Sequence, residues 1–312
     1  MKYTKALIVV HRDESTKDFE EIARRIRKLD PTIGVVMISE ILTSKMIPSE
    51  FLRLPMLVIY LINPPPTKFK VATKLAVKEM HKIEEYEHFK KHNLPCLPIE
   101  RFKWGMELEP AIYGDWVVLK PEYMQSTGKD VNMLPTKLIP TLKIEDFPAE
   151  HLIHQDSYLV QKFVKTGDTP NHFRVGVFLG KVLYSVHAKH NKKYPELTAS
   201  IKDLLTQTVA SNEYEHRTMS LIKNNQLNEV ALRVSSTFPD NPLFGIDIIR
   251  DQETGNLFVL ETNLGGNTWH FSSEMGHVGR EQMGGRKAMV LQYNAWDRAA
   301  EALVRKVNEV AS

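Results

Sequence analysis

The stretch FGIDIIRDQETGNLFVLETN, residues 244–263, has the pattern of a β-hairpin. Both arms are rich in Ile, Val, Leu and Phe, and the polar run 251–256 between them supplies the turn. A turn centred near Thr254 places Asp247 directly opposite Glu261 on the neighbouring strand. The stretch therefore predicts two apolar strands that carry a pair of facing carboxylates.

A third oxygen-bearing side chain joins this pair. Side chains alternate along a strand, so Glu261 and Asn263 share one face, and Asp247 reaches them from across the hairpin. Carboxylate and amide oxygens on a rigid hairpin suit a Mg²⁺ ion that also binds phosphate oxygens. Acidic residues near strand ends are also common where no metal binds, so an ordinary strand end followed by a loop fits the same residues.

Composition sets the class of protein. A chain of 312 residues predicts two or three lobes, and 42% hydrophobic with 25% charged residues is typical of a soluble globular protein. The net charge of +3 is too small to favour nucleic acid as the main partner, and no apolar stretch approaches the roughly 20 residues of a membrane helix. With Cys96 as the single cysteine and no signal-peptide pattern at the start, we expect a cytoplasmic protein without disulfides.

The order of apolar segments predicts a change of architecture along the chain. Strands at residues 5–11, 33–39 and 54–62 alternate with a helix at 16–28, which predicts a small parallel sheet wrapped by helices. From residue 116 onward, short strands separated by turns predict antiparallel sheets. Helical spacing predicts later helices at 227–236 and 296–310.

A lysine, a strand end and an arginine strand are candidates for nucleotide contacts. Lys120 ends a strand and precedes a polar loop containing Gly128, so it can pair with phosphates that loop N–H groups cover, or it can simply cap a surface strand. The strand at residues 158–164 can offer its backbone to an adenine ring or belong to an ordinary core. Alternation places Arg174 on the face opposite its apolar neighbours, as either a solvated residue or a phosphate clamp, and Lys189 raises the same choice.

The segment LGGNTWHFSS directly follows the predicted hairpin. Gly265 and Gly266 let backbone N–H groups approach a substrate carboxylate closely, and Asn267 and His270 can add polar contacts. Trp269 would form a wall. The alternative is a glycine turn beside a buried indole.

The order of these segments resembles the ATP-grasp superfamily, and within it the branch that holds glutathione synthetase and the ribosomal-protein glutamate ligase. The resemblance rests on the lysine strand with its glycine loop, the Gln-Lys-Phe-Val segment, the arginine strand, and the final Asp and Glu-x-Asn followed by Gly-Gly. It implies a mixed α/β and α+β fold with an N-terminal parallel α/β lobe at residues 1–80. A lid lobe with a linker helix at 81–165 and a C-terminal lobe at 166–312, each built on an antiparallel sheet, would enclose the nucleotide.

The resemblance also implies a role for each matching residue. The residues assigned to ATP are Lys82, Lys120, Gln125, Ser126, Gly128, Gln161, Lys162, Phe163, Val164 and Asp168, with 125–131 as a loop that closes over the nucleotide. Those assigned to Mg²⁺, with Mn²⁺ as the alternative ion, are Asp247, Glu261 and Asn263. Arg174 and Lys189 would be catalytic, and Gly265, Gly266, Asn267 and His270 would meet the substrate.

The activity that this resemblance implies is ATP-dependent ligation of a carboxylate to an amine through an acylphosphate, with release of ADP and phosphate. An amino acid or a peptide is the expected substrate, and a homodimer is expected because relatives often form one. Two alternatives remain open on the sequence. One is an ATP-grasp kinase of a small molecule, and the other is a nucleotide-binding regulatory protein without catalysis.

Overall fold

A four-stranded parallel sheet opens the structure, a computed structural model that describes residues 3–39, 46–63, 72–78, 80–123, 128–196, 198–207, 209 and 217–310. Its elements are β1 (Lys5–His11), α1 (Thr16–Leu29), β2 (Ile33–Ser39), β3 (Met56–Tyr60) and β4 (Ala72–Ala76), with the strand order β2-β1-β3-β4. Strand β1 buries Leu7 and Val9 on one face and Ala6 and Ile8 on the other. Burial on both faces explains its unbroken apolar run, and the predicted parallel sheet is confirmed.

The second sheet is antiparallel and has the order β5-β8-β6-β7. Its part of the chain contains α2 (Lys82–Lys91), β5 (Ile99–Arg101), α3 (Pro110–Tyr113), β6 (Trp116–Pro121), β7 (Asn132–Pro135) and β8 (Tyr158–Lys162). Alternate residues of β6, among them Val117 and Leu119, are fully buried in the core of this lobe. The same alternation brings Lys120 to the other face of the sheet.

The third sheet is antiparallel, with the order β11-β10-β9-β12-β13. Its elements are β9 (Asn171–Phe178), β10 (Lys181–His190), α4 (Ile201–Thr206), β11 (Arg217–Leu221), α5 (Asn225–Ser236), β12 (Leu243–Arg250), β13 (Leu257–Leu264), α6 (His277–Gln282), α7 (Gly285–Tyr293) and α8 (Ala295–Val310). Helix α8 packs on α1 and β10 through Ala299, Leu303 and Val307, which lie at helical spacing. None of the described helices is long and apolar enough to cross a bilayer.

The hairpin formed by β12 and β13 contains a bulge that the sequence did not indicate. Near the turn, Ile248 pairs with Val259, a register that would continue by placing Asp247 opposite Leu260. The register shifts at this point, so Asp247 instead pairs with Glu261, and Leu260 becomes the extra residue. The predicted pairing of the two carboxylates is confirmed, but a bulge produces it, and bulges are a common means of re-aiming side chains.

Two glycines leave room on the face of the third sheet. Gly176 on β9 pairs with Gly245 on β12, and the ring of Tyr184 from β10 lies directly over Gly176. A Cβ atom at Gly176 would lie 2.2 Å from the Tyr184 ring, so the position requires glycine. The Tyr184 hydroxyl donates a hydrogen bond to the Thr268 carbonyl, 2.7 Å away, and thereby joins the sheet to the segment after the hairpin.

Gly176→Ala is expected to lower the free energy of unfolding by about 1–3 kcal/mol, because the added methyl group displaces a fully buried ring. Urea unfolding followed by circular dichroism measures the change. The matched control is Gly245→Ala, whose Cβ would lie 3.1 Å from the Thr268 methyl group and should cost less. An unchanged unfolding midpoint for Gly176→Ala would contradict the packing of Tyr184.

Candidate functional site

Three charged side chains form one row across β9, β12 and β13. Arg174 pairs with Asp247, and Asp247 with Glu261, so all three lie on one face of the sheet. The Arg174 guanidinium donates two parallel hydrogen bonds to Asp247, from Nε to Oδ1 at 2.7 Å and from Nη2 to Oδ2 at 2.6 Å. Burial would raise the pKa of Asp247, but the adjacent guanidinium outweighs burial and holds that pKa below its ordinary value.

Asn263 and Glu261 complete the donor set that the sequence assigned to a metal. The Asn263 amide donates to Asp247 Oδ2 at 3.0 Å, so these two side chains meet as expected from their positions on the hairpin. Glu261 is half-buried, and its carboxylate has no hydrogen bond or ion pair with any described residue. Within the described ranges, no three His, Cys, Asp or Glu residues form a metal-binding group, so the amide oxygen is needed as a third ligand. Two carboxylates and an amide, one carboxylate without a partner, fit a hard divalent cation.

Lys120 lies in a crowded recess beside this row. Its ammonium group donates to Gln161 Oε1 at 2.8 Å, which links the predicted phosphate lysine to the strand predicted to hold the adenine. Burial lowers the pKa of Lys120 to about 8, and Lys82 adds to the decrease while Glu261 and Glu85 oppose it. Lys120, Lys82, Glu261 and Glu85 therefore form one electrostatic cluster.

Lys82 is the first residue of α2 and fixes that helix to the end of β6. Its ammonium group donates to the backbone carbonyls of Pro121, at 2.8 Å, and Glu122, at 3.2 Å. The Glu122 carboxylate in turn accepts hydrogen bonds from Arg101. Both predicted phosphate lysines thus meet where β6 ends.

The predicted adenine segment has one backbone donor available. The N–H groups of Lys162 and Phe163 already bond to the carbonyls of Pro98, at 2.9 Å, and Trp116, at 3.1 Å. The N–H of Val164 has no acceptor among the described residues, so it is the donor that an adenine could use.

Some predicted residues lie apart from the row or outside the described ranges. Gln125 and Ser126 lie outside the described residues, which resume at Gly128 with a φ of 90°, a backbone conformation that favours glycine. Lys189 is exposed on β10 and lies three residue pairs beyond the Arg174 row, so the structure does not bring it to the cluster. Asp168 is exposed in the loop between β8 and β9.

The segment after the hairpin turns towards the N-terminal lobe. Gly265 has a φ of 86°, and Gly266 is buried against the side chain of Arg12, whose Cγ would lie 3.0 Å from a Cβ at that position. Arg12 follows β1 at the carboxyl edge of the parallel sheet, where ligands of open α/β sheets bind. Its Nε is buried and has no hydrogen-bond partner among the described residues. The sequence offered no pattern that singled out this arginine.

The remaining residues of that segment divide between the core and the surface. Asn267 is exposed, whereas Trp269 is buried in the core and donates from its indole nitrogen to Asp18 Oδ2 at 2.9 Å. The buried-indole alternative therefore describes Trp269. His270 stacks on Tyr184 with ring centroids 5.5 Å apart and lines a cavity of about 10 Å³, room for about one water molecule. Burial, with nearby Arg174, lowers the pKa of His270 to about 3, so this imidazole is neutral.

Solved structures share this arrangement of sheets along nearly the whole chain. The crystal structure of D-cycloserine synthetase DcsG matches with a TM-score of 0.50 and 15% identity, covering 97% of this chain and 99% of that one. The ATP-grasp ligase PsnB, in complex with a phosphomimetic variant of its minimal precursor, Mg and ADP, matches with a TM-score of 0.50 and 11% identity, covering 98% and 99%. The chain has an ATP-grasp fold.

The ATP-grasp fold confirms the predicted fold class, while the resemblance to the glutathione synthetase branch stays a prediction. No family model matches the sequence, and a search of curated proteins found no match. At 11% and 15% identity, the two likenesses concern the fold alone.

Lys120→Met is expected to weaken ADP binding at pH 7 and to flatten its pH dependence. Because the pKa of Lys120 is about 8, the free protein loses this charge between pH 7 and 9, whereas an ordinary lysine keeps it up to about pH 10.4. Wild-type affinity for Mg²⁺-free ADP should therefore fall about tenfold from pH 7 to 9.

Isothermal titration calorimetry at pH 7, 8 and 9 measures both effects. Lys137→Met, at an exposed position of the same lobe, is the control and should titrate as the wild type does. Unchanged ADP affinity in Lys120→Met would show that this lysine does not bind the phosphates.

Proposed function

We propose that the chain is an ATP-dependent ligase that joins a carboxylate to an amine and releases ADP and phosphate. The observation that carries the proposal is the row of Arg174, Asp247 and Glu261 on one face of an ATP-grasp fold, with Asn263 beside it. Such a row supplies both signs of charge at one place. Transfer of a phosphoryl group requires this combination, because the protein contributes mainly positioning and charge stabilisation.

ATP would lie between the second and third sheets. Lys82 and Lys120 would bind its phosphates, and the N–H of Val164 would bind the adenine. Asp247, Glu261 and Asn263 would hold Mg²⁺ or Mn²⁺. When bound, the ion would neutralise phosphate charge. The Mg and ADP named for the PsnB structure support this assignment.

The reaction would proceed in two steps. A carboxylate oxygen of the substrate attacks the γ-phosphorus of ATP, the bond to the leaving oxygen of ADP breaks, and an acylphosphate forms. An amine then attacks the carbonyl carbon, phosphate leaves with the bonding electrons, and the nitrogen loses a proton. No protein nucleophile is required, and Arg174 would stabilise the charge on the phosphoryl group.

The segment after the hairpin would receive the substrate. Gly265 and Gly266 follow the candidate metal ligands directly and are buried, and Asn267 adds an exposed amide. Arg12 reaches the same place from the parallel sheet and would pair with a carboxylate of an amino acid or peptide. Neutral His270 would contribute a hydrogen bond without adding charge.

Incubation with ATP, Mg²⁺ and a library of amino acids and short peptides tests the proposal, with ADP release as the readout and mass spectrometry of the products. Amine-dependent ADP release with an amide product supports ligation. A stable phosphorylated product would indicate a kinase instead. Nucleotide binding without turnover would indicate a regulatory protein.

Glu261→Gln and Asn263→Ala are each expected to lower turnover by at least about 100-fold while leaving the protein folded. Loss of an outer-shell partner of a metal site already costs 10- to 100-fold, and these residues would touch the ion itself. Glu253→Gln, at an exposed position in the turn of the same hairpin, is the matched control. Full activity in both variants would refute the metal assignment.

Arg12→Ala is expected to raise the half-saturating concentration of the carboxylate substrate by about 10- to 100-fold, the value of a charge-assisted hydrogen bond. ADP affinity should stay unchanged, because Arg12, just beyond β1, makes none of the proposed nucleotide contacts. Steady-state kinetics and ADP calorimetry together measure this split. Equal changes in both quantities would contradict a role in substrate binding.

A further inference from the structure

Strand β13, which carries two of the three candidate metal ligands, lies at the edge of its sheet. Its inner side pairs with β12, whereas its outer N–H and C=O groups have no neighbouring strand in the sheet. Contacts with described residues outside the sheet cover part of this outer edge. The Val259 N–H donates to the Pro95 carbonyl at 2.7 Å, and the Thr262 N–H donates to the carboxyl group of Glu85 at 2.7 Å.

Glu85 holds Thr262 by two groups at once. One oxygen of Glu85, Oε1, accepts from both the backbone N–H and the hydroxyl of Thr262. Glu85 lies in the first turn of α2 and is only 7% exposed, although a glutamate on a helix is ordinarily solvated. Both hydrogen bonds to Oε1 of this buried carboxyl group therefore come from one residue, Thr262.

The contact between Glu85 and Thr262 matters because of where Thr262 lies in the strand. Thr262 lies between Glu261 and Asn263 in the chain, and alternation directs its side chain away from theirs. The hydrogen bonds from the hydroxyl and the N–H of Thr262 to Glu85 therefore fix the strand without occupying the face that carries the candidate ligands. The bulge at Leu260 lies just before this point and makes an external constraint on the strand more important.

The same carboxyl group belongs to the electrostatic cluster around Lys120. Burial raises the pKa of Glu85 to about 8, and nearby Glu261 adds to the rise, while the hydrogen bonds from Thr262 and the charge of Lys120 oppose it. A neutral carboxyl group still offers Oε1 as an acceptor. The amide of glutamine would offer an equivalent oxygen.

We propose that Glu85 is a positioning residue for the metal site. It holds Thr262 and thereby sets the directions of Glu261 and Asn263. Helix α2 begins with Lys82, so Glu85 also ties the metal strand to the element that presents a nucleotide lysine. The inference rests on the proposed function, because it requires Glu261 and Asn263 to bind a divalent cation with the nucleotide.

The test is the gain in ADP affinity that Mg²⁺ produces, measured by isothermal titration calorimetry with and without the ion. Glu85→Ala should reduce this gain about tenfold, and because the gain is a ratio of two affinities, any effect of the substitution on Mg²⁺-free ADP binding through Lys120 cancels. Glu85→Gln should keep most of the gain, because its amide oxygen can accept both hydrogen bonds. Glu87→Ala, an exposed glutamate on the same helix, is the matched control and should behave as the wild type.

The outcomes separate the inference from the proposed function. A wild-type protein in which Mg²⁺ does not increase ADP affinity would overturn the proposed function, and the inference with it. A wild-type gain that Glu85→Ala retains in full would overturn the inference alone. If Glu85→Ala fails to fold, Thr262→Val decides, since it removes the hydroxyl and keeps the N–H. It should lose about threefold of the gain, and an unchanged gain would overturn the inference.

Discussion

A buried bidentate ion pair between Arg174 and Asp247 joins two neighbouring strands where the candidate site begins. Removing one partner of such a pair costs about 3–5 kcal/mol, because the remaining charge is then buried without compensation. The pair therefore holds Asp247 in one orientation, in which the Asp247 carboxylate accepts a hydrogen bond from the Asn263 amide and faces Glu261. The other parts of the candidate site are arranged around this row.

Two backbone features make that row possible. The paired glycines Gly176 and Gly245 leave a groove on the sheet that Tyr184 and the stem of Arg174 fill. The bulge at Leu260 then shifts the hairpin so that a carboxylate, and not a leucine, faces Asp247. Glycine without a Cβ and a one-residue bulge thus serve the same purpose, which is to place charged side chains on a surface that would otherwise be apolar.

Local patterns predicted the elements well because each depends on neighbours in the chain. Strands β1, β2 and β3 and helices α1, α5 and α8 agree with the predicted elements within two residues at each end, whereas strand β4 of the parallel sheet was not predicted. The roles assigned from the ATP-grasp resemblance remain predictions. Glu85 was missed for a physical reason: in KIEEYEHFKK it cannot be distinguished from two exposed glutamates, and its burial depends on Thr262, 177 positions away.

The sequence by itself determined the strand and helix periods, the faces of the strands and the presence of a hairpin with two carboxylates and an amide, because these follow from repeats of two and 3.6 residues. Only the tertiary structure decided which charges meet. The contact of Lys120 with Gln161 joins two strands of one sheet, and the contacts of Arg12 with Gly266 and of Glu85 with Thr262 join different sheets and helices. Distant segments come together through packing of the three sheets, and no local pattern encodes that packing.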